Sequence, residues 1–117
     1  MARIHHITSA PEAEAAARSG EYVPQAFSAD GFIHCSRAEQ VAAVANAFYR
    51  GCDDLVLLEI DRERVPCRVV DENLDGGREL FPHVYGHLPM SVVVAVHALQ
   101  PGADGHFELP AALRRRT

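Results

Sequence analysis

Two short stretches hold most of the side chains able to do chemistry: GFIHCS at 31–36 and FPHVYGHL at 81–88. Alternation along an extended chain decides which residues share a face. In the first stretch Phe32, His34 and Ser36 point one way, and Ile33 and Cys35 the other. In the second, Phe81, His83, Tyr85 and His87 fall on one side. Each segment thus presents rings and imidazoles together, a lining that suits a planar, polar ligand. Glu72 ends a further apolar run just before the loop NLDGG, and Arg78 follows those glycines. A strand-end carboxylate beside a mobile loop is placed to act as a general base or to hold a sugar hydroxyl. Arg78 is placed to clamp an anionic group, or to pair with Asp75 or Glu79. Arg68 shares the nominal face of Glu72 and can neutralise it.

Each of these residues also has a plainer role open to it. Ser36 stands three residues before Glu39, the capping-box spacing, so a helix start accounts for it. His34 is equally explained as a buried imidazole satisfied by backbone carbonyls. Glu72 can be a solvated carboxylate at a strand end. His83 lies between Pro82 and Gly86, in a segment too irregular for packing alone, and reads as functional. Tyr85 can anchor a sheet edge, and His87, His97 and His106 read as background. No metal site is expected. His83 and His87 have a spacing that ligates only from a helix, and Cys35 points away from His34. A cysteine nucleophile lacks a neighbouring cation at Cys35, and a lysine nucleophile is excluded because all eleven basic residues are arginine.

The elements that must hold these residues read as α+β. RIHHIT (3–8) is a strand; Ser9 then caps an alanine-rich helix with Pro11 and Glu12 in its first turn and Gly20 beyond its end. EYVPQAFSADG is a loop closed by the Asp30-Gly31 turn, and GFIHCS is the second strand. The next helix starts at Ser36 and carries Val41, Val44, Ala45 and Phe48 on one apolar face. LVLLEI (55–60) is apolar but for Glu59, the mark of a central strand buried on both faces. CRVVDE, the irregular FPHVYGHL, SVVVAVHAL and a short HFELP supply further strands. Both helices fall in the first half, so no parallel doubly wound sheet is expected. No phosphate-loop, dinucleotide or nucleophile-elbow motif occurs.

At 117 residues, 48% of them hydrophobic and 23% charged, the chain is one domain with a real core. A net charge of −5 argues against a general nucleic-acid or anionic-membrane surface. The arginine run at the end reads as a frayed tail over 114–117. There is no secretory leader and no span-length apolar stretch, and the three cysteines fit reduced thiols, so a cytoplasmic location is expected.

RIHHIT, GFIHCSRAEQV, DDLVLLEID and LFPHVYGHLP, in this order and near this spacing, resemble a short bacterial family, domain of unknown function 952. Gly31, His34, Ser36 and Gln40 match its first motif; Phe81, Pro82, His83, Tyr85 and Gly86 match its second. Glu72 matches a glutamate usually preceded by tryptophan, where this chain has Asp71, and the chain has no tryptophan at all. The resemblance implies a small split β-sheet fold like that of ADP-ribosyltransferases, with a cleft able to hold NAD. It further implies a ribose-holding role for His6, a stacking role for Tyr85, and hydroxyl polarisation by Glu72. On this reading Glu72, His34 and His83 are catalytic, and His6, Ser36, Arg78 and Tyr85 hold the cofactor or ligand. Two functions follow: ADP-ribosyl-type transfer from NAD or another nucleotide, and non-catalytic binding of a nucleotide or small metabolite in the same cleft.

Overall fold

The structure, a computed structural model, describes residues 2–74 and 76–114. Strand β1 (Arg3–Ser9) runs straight into helix α1 (Ala10–Ser19). The Ser9 hydroxyl accepts from the Glu12 N–H, Pro11 sits where no donor is needed, and Gly20, at φ 88°, closes the helix. Only Ala13 and Ala16 of α1 are buried, as its alanine-rich sequence implies.

The segment expected to be a plain loop instead holds β2 (Glu21–Tyr22) and one helical turn, α2 (Phe27–Asp30). The second strand is shorter than expected, with β3 covering Ile33–His34 alone. The helix start also lies elsewhere. Gln40 Oε1 accepts the Arg37 N–H at 2.8 Å, so a one-sided cap forms one residue later than Ser36 and Glu39. A 3₁₀ turn over Ala38–Gln40 then leads into α3 (Val41–Phe48). Glu39 is drawn instead to the Arg37 guanidinium, 2.7 Å away. Val41 and Ala45 of α3 are buried, but Phe48 is 79% exposed, against the apolar-face expectation.

Strand β4 (Leu55–Asp61) is the buried centre of an antiparallel sheet ordered β1–β4–β8, where β8 spans Val93–Ala98. Its Glu59 is fully buried and held by Arg3 Nε at 3.3 Å and His97 Nε2 at 2.8 Å, so His97 closes a core ion pair. Strand β5 (Val69–Glu72) joins β6 (Phe81–Val84) and β3 in a second sheet ordered β3–β6–β5, and β7 (Leu88–Pro89) pairs with β2. The chain is thus a mixed α+β domain built from small antiparallel sheets. The expected strand at 106–110 does not form, and the segment leads into a helical turn, α4 (Ala111–Arg114). Pro110 explains this, since it lacks a ladder donor and suits a helix start. Arg114 pairs with Glu108 at 2.6 Å; the rest of the expected tail, 115–117, lies outside the described residues.

One backbone bridge sets up the site. His5 and Ser36 exchange N–H···O=C bonds of 2.8 and 2.7 Å, tying the β1 sheet to the end of β3. Ile4, Leu58 and Ile60 pack with Ile33, Val84 and Leu88 in one core, so both sheets share it. Among the described residues no helix is long and apolar enough to cross a membrane.

Candidate active site

Register brings the chemistry together. In the antiparallel β3–β6 pair His34 stands opposite His83; in β5–β6, Glu72 stands opposite Phe81, one diagonal step from His83 on the same face. The diagonal is within reach of a glutamate, and Glu72 Oε2 accepts from His83 Nδ1 at 2.9 Å. The same oxygen accepts a short hydrogen bond from the Tyr85 hydroxyl. These two donors, Tyr85 first, hold the Glu72 carboxyl below its usual range, and the carboxylate raises the Tyr85 phenol. Arg68 lies over the Tyr85 ring, 4.9 Å from its centroid, and adds a smaller pull on Glu72.

Phe32 stacks on His83 with ring centroids 4.2 Å apart, while His34 meets His83 edge-on at 5.3 Å. His83 is 5% exposed, fixed by a carboxylate on one edge and a ring on one face. Its Nε2 has no partner among the described residues, yet it is not sealed from solvent. A carboxylate can only accept, so Nδ1 carries the proton of the neutral ring and Nε2 presents a lone pair.

A cleft of about 800 Å³ opens between the sheets, and His6, His34, Ser36, Phe81 and His83 line it. Glu72, Tyr85 and Arg78 do not. Glu72 and Tyr85 stand behind His83, while Arg78 is exposed in the loop after β5. Asp75, one expected partner of Arg78, lies outside the described residues. Ser36 is buried at the cleft wall through its backbone bridge to His5, not as a cap. His34 is the exposed member of the set, its side chain 61% accessible and its Nε2 3.2 Å from Asp30 Oδ2.

His6 has both nitrogens engaged. Nδ1 donates to the His34 carbonyl, and Nε2 lies 2.8 Å from the Tyr22 hydroxyl. Tyr22 continues to Thr8 at 3.0 Å, and Thr8 donates to Glu12 at 2.7 Å. Burial lowers the His6 pKa from 6.5 to about 4, against the pull of the His34 carbonyl. Burial likewise pushes the Cys35 thiol up to about 12, so no thiolate nucleophile is available there at neutral pH. Among the described residues no three His, Cys, Asp or Glu side chains gather as a metal site.

Sequence reasoning missed Tyr22, Thr8, Glu12, Phe48 and Tyr49, all of which line the cleft. Thr8 and Glu12 were detectable only as an i, i+4 pair across the Ser9 cap. Phe48 was assigned to the helix's buried face. Tyr22 lies on a two-residue strand that carries no periodic signal.

Residues 7–96 match the family model described as "Protein of unknown function (DUF952)", and the chain belongs to that family. The X-ray structure of protein CC0527 from Caulobacter crescentus is similar: 36% identity, a TM-score of 0.83, and 92% of this chain aligned with 95% of that one. The solution NMR structure of CC0527 aligns at a TM-score of 0.81 and 34% identity over 98% of this chain and 97% of that one. No curated protein matches.

Proposed function

We propose that this chain is an enzyme that transfers protons to and from a small ligand held in the cleft, with His83 as the catalytic base. One observation carries the reading: a buried imidazole lining a cleft that also holds aromatic rings, proton-fixed by Glu72 at Nδ1 and with no partner for Nε2 among the described residues. This is the arrangement general base catalysis needs. Nε2 takes the proton from an attacking hydroxyl or water, the electron pair left on oxygen forms the new bond, and the leaving group departs with its own pair. The imidazolium, steadied by the Glu72 carboxylate, then returns the proton to that leaving group. Glu72 is a positioning residue here, and Tyr85 fixes Glu72 in turn.

ADP-ribosyl transfer from NAD or a related nucleotide is the case the family resemblance implies; the Phe32, Phe48 and Tyr49 rings suit its planar groups, whereas the acidic lining offers its diphosphate no counter-ion. An ADP-ribosyltransferase-like fold belongs to the same proposal. In that case Glu72 serves through His83 and not by touching the ribose.

A thermal-shift screen of amines, sugars, NAD and nucleotides, followed by product detection by mass spectrometry, tests the proposal. Turnover of a stabilising compound, lost in His83→Gln at unchanged melting temperature, is the expected result. Stabilisation without turnover, equal in wild type and His83→Gln, makes the cleft a binding module and ends the enzyme reading.

A further inference from the structure

We propose that the cleft selects a positively charged, hydrogen-donating ligand: a protonated amine carried on a planar ring. The inference rests on the reading of the cleft as the ligand site and supplies the ligand's chemical class.

The charge census comes first. Every charged residue lining the cleft is acidic: Glu12, Asp30 and Asp54. No arginine lines it, and the chain has no lysine. A phosphate or carboxylate entering here meets like charge and no counter-ion, whereas a cation meets three acceptors.

The hydrogen-bond signs agree independently. His83 commits its ring proton to Glu72, and His34 commits its own to Asp30 through Nε2. A neutral imidazole carries one proton, so His83 Nε2 and His34 Nδ1 are both acceptors. Nε2 of His83 belongs to a side chain 5% exposed and has no partner among the described residues. A nearly buried acceptor facing a cleft calls for a ligand that donates. His6 offers nothing to offset this, because both its nitrogens are engaged.

The walls supply the planar half of the assignment. Phe32, Phe48 and Tyr49 line the same cleft, and Phe48 is 79% exposed on a helix whose Val41 and Ala45 are buried. An exposed phenyl at a carboxylate-lined mouth gives a cationic ring both a stacking face and a cation–π contact.

Three probes with one ring and three charges separate the contributions: phenethylammonium, 2-phenylethanol and 3-phenylpropanoate, titrated at pH 8 and low salt against the ¹⁵N-labelled chain. The ammonium is expected to shift resonances of the cleft residues and to bind about tenfold tighter than the alcohol, with the propanoate weakest. In the double variant Glu12→Gln, Asp54→Asn, which leaves Asp30 as the one lining carboxylate, the ammonium's advantage over the alcohol is expected to shrink while the alcohol's own affinity holds. Phe48→Ala is expected to weaken ammonium and alcohol alike. A propanoate that binds as tightly as the ammonium, or an ammonium preference unchanged in the double variant, overturns the charge assignment. The enzyme reading then stands or falls separately on the His83→Gln turnover comparison. Failure of all three probes to move the cleft resonances overturns the proposal outright.

Discussion

Glu72 Oε2 accepts from His83 Nδ1 at 2.9 Å across a diagonal of the β5–β6 ladder, and that bond leaves Nε2 as the nitrogen of the neutral ring with a free lone pair. Neither residue is informative alone. The pair is, because the carboxylate can accept but never donate.

Glu72→Gln tests that relationship with little change of shape. An amide can turn its N–H₂ toward His83, which then protonates at Nε2 and loses its lone pair toward the cleft. A long-range ¹⁵N spectrum is expected to show His83 shifting from the Nδ1–H to the Nε2–H form. If the proposed chemistry holds, kcat falls by roughly 10²- to 10⁴-fold. A tautomer unchanged in the variant would mean that something other than Glu72 fixes the ring.

Tyr85→Phe removes the largest influence holding the Glu72 carboxyl low, and leaves the His83 contact in place. The Glu72 pKa is expected to rise toward the ordinary carboxylate range, followed by its side-chain ¹³C signal against pH. The sign matters for activity. A depressed carboxyl keeps the Glu72–His83 tie intact above its folded pKa and loses it as pH falls through that value. Raising the pKa therefore moves the acid limb of any pH–rate profile to higher pH in the variant. An unmoved limb with a normal melting temperature would separate Tyr85 from the catalytic group.

Gln40 and Ser36 exchange the roles their sequence context implied. Gln40 is buried; its Oε1 caps Arg37, and its Nε2 donates to Glu79 at 2.9 Å and to the Leu80 carbonyl at 2.8 Å. It thereby ties the helix start to the strand that carries His83. Gln40→Ala is expected to cost about 1–3 kcal/mol in urea unfolding, since it strands the Arg37 N–H and leaves the Leu80 carbonyl only its bond from Arg37 Nη1. Ser36→Ala, with no cap to lose, is expected to stay within about 0.5 kcal/mol. Equal costs would contradict the observed helix start.

How much of this was legible in the sequence follows from which signals are local. β4 is readable because five apolar residues among six neighbours are a local property, and α1 because Ser9, Pro11 and Gly20 punctuate it within one segment. Alternation groups Phe32 with His34 in one segment and Phe81 with His83 in the other; it is the β3–β6 pairing that brings Phe32 and His34 against His83. The helix cap slipped by one residue because Arg37 offers Glu39 a stronger partner than the Ser36 backbone does. The Glu72–His83 bond and the His6–Tyr22–Thr8 chain depend on strand register between distant segments, which no local pattern encodes. Glu72 stands out in the sequence as a strand-end carboxylate, but its bond to His83 depends on the pairing of β5 and β6.

His6 gives the pH dependence a definite sign. Burial lowers its pKa from 6.5 to about 4, so between those values the unfolded chain binds a proton that the folded chain does not. Stability then rises with pH across that window: it is fully present above about pH 6.5 and is lost as pH falls toward 4. At 1.36 kcal/mol per pKa unit the loss from this one group is roughly 3 kcal/mol. His6→Asn keeps a donor for the His34 carbonyl and removes the titration. Urea unfolding of both proteins at intervals from pH 7 to pH 4 is expected to show wild type losing about 3 kcal/mol more than the variant. Glu72 contributes in the same direction but at lower pH, because its carboxyl is itself depressed, so its slope appears equally in both proteins. Parallel curves for wild type and His6→Asn would show that His6 takes up its proton in the fold, with the Tyr22–Thr8–Glu12 chain accommodating the charge.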